Sequence, residues 1–270
     1  MPLSKRTNPL FIKNIAKVRT SGLHLFFCYT CSIMCGRGSL TRVEKELEQR
    51  FGSEFYSEDL ERYNPLPSFN IAPTHRLPVI LQEDPGHFRP AQWGLIPSWA
   101  KDASIGSKMI NARIEGLLEK PSFKSSFLHR RCLVPMDGFY EWKPGKGKSK
   151  MPFRIGVKNF EVFALAGLYD RWKNEKGEIL ISFTVITIPS NQFVSEFHDR
   201  MPVILLKEEE RNWIDPGDPT ADELLDLLRP YPDDGMEAYR VSDRVNSVRN
   251  NDPELIEKTP PPEGNQLFSF

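Results

Sequence analysis

The chain has 270 residues, of which 39% are hydrophobic and 27% charged, and its 36 basic and 36 acidic side chains cancel. This composition is typical of a soluble globular protein, with room for one large domain or two small ones. No apolar run approaches the ~18 residues that span a bilayer. Four cysteines without regular spacing do not predict a disulfide framework.

The charges are unevenly distributed along the chain. Residues 1–34 carry a net charge of +5 without any acidic side chain, residues 35–206 carry +4, and residues 207–270 carry −9. A nucleic-acid groove, if the protein has one, is therefore expected in the middle section.

The first 34 residues differ in kind from the rest, because they are basic and end in an apolar and cysteine-containing stretch. Met34-Cys35-Gly36-Arg37 then reads like the start of a protein. The leader is a targeting peptide, a disordered tail, or upstream sequence translated from a misassigned start, and we favour the third reading. The predicted organisation is a removable or artefactual leader at 1–34, one domain at 35–250 and a loose, proline-rich tail at 251–270.

Three helices are predicted from capping signals and from the helical spacing of apolar residues. Thr41-x-x-Glu44 opens the first as a capping box, Ser190 opens the second, and Asp218 with Pro219 opens the third. The expected ranges are 42–51, 190–197 and 219–228.

Strands are predicted where apolar, β-branched and aromatic residues run between turn signals. Asp84-Pro85-Gly86 separates the first two strands, and residues 174–177 form the turn before the last. The expected strands are 77–82, 87–93, 153–158, 160–168 and 180–188. Because they cluster without regular alternation with helices, the predicted fold class is α+β with mainly antiparallel β-sheets.

The cysteines do not indicate a metal site. Cys28-x-x-Cys31 and Cys35 supply three thiols, but a zinc site needs a fourth ligand, and the nearest histidine is His24 in the same leader. No cofactor or metal is predicted. Cys132 lies in an apolar, strand-like stretch and is expected to be a small buried residue.

Cys35 acquires a distinct chemistry if Met34 is the initiator and is removed. Its α-amine then has a pKa of ~7.7–8.0 against ~10.4 for lysine, so its neutral fraction near pH 7 is several-hundredfold larger. A neutral amine attacks an aldehyde to give a Schiff base, and the neighbouring thiol then closes a five-membered thiazolidine ring. From its position alone this remains one possibility, because a cysteine near a start codon is common.

Two further side chains have suitable chemistry, although each also has a plain structural reading. Glu141 lies among aromatic residues, which favours a general acid with a raised pKa, or it is a surface glutamate at a strand end. His198 follows an amphipathic helix and precedes Arg200, so it either moves protons near pH 7 or caps the helix C-terminus. His75, His87 and His129 have no comparable setting and are expected to be surface or structural residues.

Other residues are candidates for contact with nucleic acid. Trp93 and Trp99 lie on a segment punctuated by glycine and proline, where they either stack on bases or pack half-buried. Asn111 and Arg113 pair an amide with a guanidinium that can fork onto a phosphate. The lysines of KPGKGKSK at 143–150 are interpreted as a solvated turn and left out of the site.

Taken together, these segments resemble the SOS-response-associated peptidase family, the abasic-site DNA–protein crosslinkers. The resemblance covers about 35 to 250, and MCGR, DGFYEW and HDRMP together are its most specific part. The motifs are MCGR at 34–37, FNIAP at 69–73, WGLIPSW at 93–99, INARIE at 110–115, RCLVPMDGFYEW at 131–142, FALAGLYDRW at 163–172, HDRMPVIL at 198–205 and VSDRVNSVRN at 241–250.

The resemblance implies mixed, largely antiparallel sheets with a barrel-like core and flanking helices around a basic cleft. It implies capture of the abasic aldehyde in single-stranded DNA by Cys35, with lyase and self-processing peptidase side reactions. By motif, Asn111 positions the sugar or amine, Glu141 moves protons, and His198 assists sugar ring opening and release. The expected DNA-binding residues are Arg37, Asn70, Pro73, Trp93, Trp99, Arg113, Trp142 and Arg200.

The sequence departs from the family pattern at the leader and at Gly38, where the family often has a bulkier residue and little consequence is expected. With residues 1–33 attached, the nitrogen of Cys35 is an amide and forms no Schiff base. Two other functions remain open: a cysteine autopeptidase using Cys35 and His198, and a non-catalytic binder of single-stranded or modified DNA. The expected protein is a monomer without membrane contact, working beside the replication machinery in the cytoplasm and nucleoid of a bacterium or the nucleus of a eukaryote.

Overall fold

The computed structural model describes residues 36–144 and 150–260, all of which belong to one compact unit, 33–270. Its helices are α1 Glu44–Phe51, α2 Pro121–His129, α3 Gln192–Ser195, α4 Glu210–Trp213 and α5 Ala221–Asp226. Its strands are β1 Gly38–Leu40, β2 Glu54–Phe55, β3 Ser68–Ile71, β4 Arg76–Leu81, β5 Asp84–Trp93, β6 Asn111–Arg113, β7 Arg131–Met136, β8 Gly138–Pro144, β9 Lys150–Val157, β10 Phe163–Lys173, β11 Ile179–Pro189, β12 Arg200–Pro202 and β13 Met236–Arg240. None of the helices in this described part is both long and apolar enough to cross a lipid bilayer.

Two sheets share the core, which confirms the predicted α+β class. One sheet has the strand order β13-β9-β8-β1-β3, and the other β12-β11-β10-β7-β4-β5-β2, with β6 added beside β11. Strand β11 also pairs with β5 at Ser182–Gln92 and Phe183–Trp93. This parallel contact closes β5, β4, β7, β10 and β11 into a ring, so the core is barrel-like.

The barrel is filled by side chains that alternate along its strands. Strands β7, β10 and β11 are buried over most of their length, as expected for strands packed on both faces. Cys132 is fully buried, which confirms its prediction as a small core residue, and burial raises the pKa of its thiol. Gly38 packs closely, because a Cβ there would lie 2.5 Å from the sulfur of Met136, so a larger residue at this position would need the methionine side chain to shift.

The first predicted helix begins two residues later than expected. Thr41 does not cap it, because the Thr41 hydroxyl and amide both donate to the carboxylate of Asp137 at 2.6 Å. The helix begins after Val43 instead, whose amide donates to Glu46 at 3.1 Å. A tertiary partner has therefore displaced the local capping interaction that the sequence pattern predicted.

The strands predicted at 77–82 and 87–93 are confirmed, but their turn is misplaced. Leu81 pairs with Asp84, so the turn is at residues 82–83 and Asp84-Pro85-Gly86 belongs to β5. The strands predicted at 153–158, 160–168 and 180–188 correspond to β9, β10 and β11.

The other two predicted helices are shorter than expected because their caps lie further along the chain. Asn191, rather than Ser190, caps α3 by accepting from the amide of Val194 at 2.8 Å. Thr220, rather than Asp218, caps α5 in a reciprocal capping box with Glu223.

Residues 251–260 are packed onto the domain, so the prediction of a loose tail is wrong for them. Leu255 is fully buried. The hydroxyl of Tyr239 donates to the carbonyl of Ile256 at 2.7 Å, and the amide of Thr259 donates to the carbonyl of Arg240 at 2.9 Å. Residues 261–270 lie outside the described part of the chain.

A buried carboxylate holds β1 in the first sheet. Asp137 is fully buried and accepts hydrogen bonds from the hydroxyl of Ser39 at 2.7 Å and from Nη2 of Arg154 at 2.8 Å, in addition to those from Thr41. Burial alone would lower the pKa of Arg154, but the charge of Asp137 and the Tyr239 hydroxyl outweigh it, so the pKa is raised. The network ties β1 to β8 and β9.

Asp137→Ala is expected to lower the free energy of unfolding by about 3–5 kcal/mol, because it leaves a buried guanidinium without its carboxylate. Urea unfolding followed by tryptophan fluorescence measures the change. The matched control is Glu254→Gln, which removes an exposed carboxylate paired with Arg244 and is expected to cost about 1 kcal/mol or less. Equal losses in the two variants would mean that the buried network contributes no more than a surface ion pair.

Candidate functional site

The described chain begins beside the middle of β8. Cys35 and Met34 lie outside the described residues, so the predicted nucleophile is not located by the structure. Gly36 and Arg37 are the first residues described, and the amide of Tyr140 donates to the carbonyl of Arg37 at 3.0 Å. The pairing of β1 with β8 therefore continues up to Arg37.

Arg37 is fixed by three contacts. Its Nη1 donates to Oδ1 of Asn70 at 2.8 Å and to the carbonyl of Val245 at 2.6 Å. Its guanidinium carbon lies 5.8 Å from the ring centre of Trp142, within the range of a cation–π contact. Burial lowers the pKa of Arg37, with a smaller opposite effect from Tyr140.

Asn70 organises the loop at 242–251 from inside the protein. Its side chain is almost fully buried, and Nδ2 donates to the carbonyls of Val245, Ser247 and Asn250 at 3.3, 3.0 and 2.9 Å. With Oδ1 accepting from Arg37, the amide is fully engaged within the protein. Asn70 therefore shapes the predicted DNA cleft through this loop, and its amide is not available for direct contact with DNA.

Asn246 is a residue of the same loop that sequence reasoning did not single out. Its Oδ1 accepts from the indole Nε1 of Trp142 at 2.7 Å, which orients a half-buried ring predicted to line the cleft. Asn251 completes the arrangement by accepting from the amides of Phe69 and Asn70 at 2.7 and 3.1 Å. The motif VSDRVNSVRN contains Asn246, but nothing in its sequence distinguishes that asparagine from its neighbours.

Glu141 lies on β8 with only 4% of its surface exposed. It pairs with Phe153 of β9, and directly opposed residues of an antiparallel pair project from the same face. The Phe153 ring lies 5.1 Å from that of Phe197. The segment that ends at His198 therefore packs on the face from which Glu141 projects, and the surroundings are as aromatic as predicted.

His198 makes two contacts through one ring nitrogen. Its Nδ1 accepts from the amide of Arg200 at 3.1 Å and lies 2.8 Å from Oδ1 of Asp199. A nitrogen accepts from an amide only without a proton and donates to a carboxylate only with one. The two contacts thus differ only in whether Nδ1 carries a proton, which the choice of tautomer alone can decide, and each holds the imidazole in the same orientation.

Asn111 and Arg113 lie on the short strand β6, which pairs in parallel with β11 opposite Val185 and Thr187. Arg113 is exposed, and within the described residues its guanidinium forms neither a hydrogen bond nor an ion pair. It is therefore positioned to bind a phosphate without first breaking an internal contact.

Arg200 differs, because it is mostly buried and already paired. Its Nη1 and Nη2 donate to the carboxylate of Glu115 at 2.6 and 3.0 Å, and Nη2 also donates to the carbonyl of Thr187 at 2.7 Å. These hydrogen bonds lower the pKa of Glu115. A phosphate would have to compete with Glu115 for this guanidinium.

The tryptophans divide between core and surface. Trp93 is 2% exposed, donates from Nε1 to the carbonyl of Ile110 at 2.9 Å and stacks 6.2 Å from Phe183. It therefore has no free face for a base, which corrects the expectation that it stacks directly. Trp99 is 61% exposed and does offer a face. Pro73 is half-buried in the turn between β3 and β4.

His75 is closer to the site than its sequence setting indicated. It is half-buried in the turn before β4, and burial together with the charge of Arg37 lowers the pKa of its imidazole. It is therefore expected to be neutral at pH 7. Within the described residues no group of three histidine, cysteine or carboxylate side chains is arranged to hold a metal ion.

The comparison with known proteins matches most of the chain. The model of the family described as SOS response associated peptidase (SRAP) matches residues 34–248. The abasic site processing protein YoqW of Bacillus subtilis (strain 168) is 44% identical over 225 residues, covering 83% of this chain and 99% of the relative. The abasic site processing protein HMCES of Rattus norvegicus is 32% identical over 272 residues, covering 83% and 75%.

A solved structure of a protein from Bacteroides thetaiotaomicron has the same fold, with a TM-score of 0.75 and 29% identity over 83% of this chain and all of that one. The predicted family resemblance is thus confirmed by the family model, by relatives above 30% identity and by the fold. The chain belongs to the SOS response associated peptidase family.

Proposed function

We propose that the protein captures abasic sites in single-stranded DNA as a covalent thiazolidine through Cys35 and so shields the lesion. The observation that carries the proposal is the family match, which begins at Met34, directly before Cys35, and includes relatives named for abasic site processing. The anchored Arg37, the buried Glu141 and the oriented His198 supply chemistry that this reaction needs.

The reaction balances without an oxidant or a metal. The α-amine of Cys35 attacks the aldehyde of the ring-opened sugar, and loss of one water gives the Schiff base. The thiolate then adds to the carbon of the C=N bond, and the proton that it has lost goes to the nitrogen. The product ring contains the sulfur, the nitrogen and the former aldehyde carbon.

Each step needs a proton to be placed at a defined atom. We assign to His198 the opening of the sugar ring, to Glu141 the proton transfers of Schiff-base formation, and to Asn111 the positioning of sugar or amine. A nearly buried carboxyl is suited to this work, because burial favours its protonated form. A β-elimination from the same Schiff base would account for a lyase side reaction.

The strand is held by contacts that do not read its sequence. Arg113 offers a guanidinium to phosphate, Trp99 offers a face to a base, and Trp142 lies where Arg37 and Asn246 orient it. Arg37 and Arg200 are hydrogen-bonded inside the protein and add positive charge near the strand without leaving those partners. Pro73, Asn70 and Trp93 support the walls of the cleft.

Residues 1–33 must be absent for this chemistry, because an amide nitrogen is not a nucleophile. We propose that the active form begins at Cys35, after translation from Met34 or after removal of the leader. The family match over residues 34–248, which begins at Met34, supports this proposal.

The protein beginning at Cys35 is expected to form a heat-stable adduct with an oligonucleotide that carries an abasic site. Denaturing gel electrophoresis and intact mass measure it, and the mass gain should equal the DNA strand minus one water. Cys35→Ala and Cys35→Ser keep the α-amine but lack the thiol, so each should form only a Schiff base that borohydride can trap and no heat-stable adduct. The intact 270-residue chain, tested in parallel, should form none until it is shortened, and an equal yield from that chain would refute the requirement for a free amine.

Glu141→Gln is expected to slow adduct formation by about 100-fold or more, since general acid–base catalysis contributes about 10²–10⁴. His198→Ala should slow the reaction with the cyclic abasic sugar but not with a simple aldehyde that needs no ring opening. Single-turnover rates with both substrates separate the two roles. Glu254→Gln, an exposed carboxylate elsewhere, is the control, and an unchanged rate in Glu141→Gln would remove that residue from the mechanism.

A peptidase activity is a second candidate, favoured by the pairing of His198 with Asp199, which resembles the orientation of a catalytic base. It needs only the thiol of Cys35, whereas thiazolidine formation also needs the amine. Acetylating the α-amine of the protein that begins at Cys35 discriminates between them. Loss of the DNA adduct with retention of peptide cleavage would assign the two reactions to separate groups.

A further inference from the structure

A cavity lies beside the short parallel contact between β5 and β11 that closes the barrel. Strands β5 and β11 pair only at Gln92–Ser182 and Trp93–Phe183. Before these pairs, Pro90 of β5 and Leu180 and Ile181 of β11 line the cavity instead. Its volume is about 770 Å³, and none of the residues proposed for the cleft lines it.

The cavity is lined by four arginines against one carboxylate, and we name it the arginine pocket. The arginines come from four separate parts of the chain, and the acidic residue is Glu178. The lining arginines are Arg62, Arg76, Arg89 and Arg171.

One buried carboxylate holds two of these arginines side by side. Asp59 is 2% exposed, and it accepts from Nη1 of Arg62 at 2.7 Å through Oδ1 and from Nε of Arg89 at 3.2 Å through Oδ2. Asp59 is not among the residues that line the cavity. Its carboxylate holds both guanidiniums, and Arg89 also donates from Nη1 to Oδ2 of Asp84 at 3.4 Å.

The other two arginines are available to a ligand. Arg76 is exposed and, within the described residues, forms no side-chain hydrogen bond or ion pair. Arg171 pairs with Glu83, but both side chains are well exposed. Exposed ion pairs contribute little stability, so a multivalent anion can replace Glu83 at small cost.

The apolar and aromatic residues that line the pocket favour a nucleic acid over a simple anion, because they can contact sugars and bases. They include Pro90, Ile181 and Trp172, and Nε1 of Trp172 donates to the carbonyl of Ala100 at 2.7 Å. Ala100 follows the exposed Trp99, so the pocket and the proposed stacking residue are joined by one hydrogen-bonded loop. On the other side, Arg76 directly follows His75, which lies near Arg37 of the cleft.

We propose that the arginine pocket binds backbone phosphates of the same single strand whose abasic position occupies the cleft. Guanidinium groups match phosphate oxygens in a bidentate geometry, and Asp59 holds two of them, those of Arg62 and Arg89, on one carboxylate. The inference rests on the proposed function for the identity of the strand. Its consequence is that a long strand contacts both surfaces, whereas a short strand fills only the cleft.

The test compares undamaged strands of about 6 and about 16 nucleotides, which bracket common single-strand site sizes. Affinity of the full chain is measured by fluorescence anisotropy over a range of salt concentrations. Arg62→Gln/Arg76→Gln is expected to weaken binding of the long strand about tenfold and to reduce its salt slope by about 1.4, or about 0.7 for each lost phosphate contact. Binding of the short strand should not change.

Two control variants make the outcome decisive. Arg229→Gln removes an exposed arginine paired with Glu209 elsewhere and should leave both strands unaffected, and Arg62→Lys/Arg76→Lys should restore most of the slope. Unchanged affinity of the Arg62→Gln/Arg76→Gln variant for the long strand, or an equal loss of affinity for both strands, overturns the proposal. So does binding of a mononucleotide in the pocket when the affinity for the long strand is unaffected by the substitutions. Because the strands are undamaged, a failure of crosslinking at Cys35 is distinguished from a failure of the pocket.

Discussion

The structure depends on a carboxylate that is removed completely from water. Asp137 binds Ser39, Thr41 and Arg154, and a charge buried without such partners would be strongly destabilising. These bonds hold β1 between β3 and β8, although β1 has only three residues. A strand of that length contributes few ladder hydrogen bonds, so the bonds to Asp137 add substantially to what holds it in place. The carboxylate therefore fixes the strand that follows Arg37, and with it the point at which the proposed nucleophile joins the domain.

Some arginines of this protein are buried and paired with carboxylates, whereas others are exposed to solvent. Arg154 and Arg200 are used inside the protein, on Asp137 and Glu115, whereas Arg113 and Arg76 face solvent without internal partners among the described residues. The first kind sets positions and contributes a fixed positive potential. The second kind is free to exchange water for phosphate. A surface that must bind a polyanion yet release it needs both, since unsupported arginines lose side-chain entropy on binding.

The sequence predicted the fold class and five of the thirteen strands that the structure describes, because the apolar and β-branched runs that mark those five are local. It misplaced caps where a distant group competed: the Thr41 hydroxyl bonds to Asp137, 96 residues away. It did not predict the β5–β11 closure, which depends on a long-range register. At the site, the motifs identify the residues but not where their side chains point. The sequence does not show whether the amide of Asn70 binds a loop of the protein or a ligand. The pocket arginines, spread from 62 to 171, have no shared motif at all.

The contacts of His198 are relevant to the proposed role of this residue in both donating and accepting a proton. In the proposed mechanism, ring opening of the sugar requires a proton at the ring oxygen and loss of one from the hydroxyl, so the group assigned to this step must both donate and accept a proton during one cycle. In His198 the amide of Arg200 holds the ring when Nδ1 is unprotonated and Asp199 holds it when Nδ1 is protonated. The imidazole therefore need not turn between accepting and donating. The two assigned groups differ in their surroundings, since Glu141 is 4% exposed and the Asp199 partner of His198 is 85% exposed. In the proposed reaction, the group assigned to Schiff-base formation is therefore the one that is shielded from water.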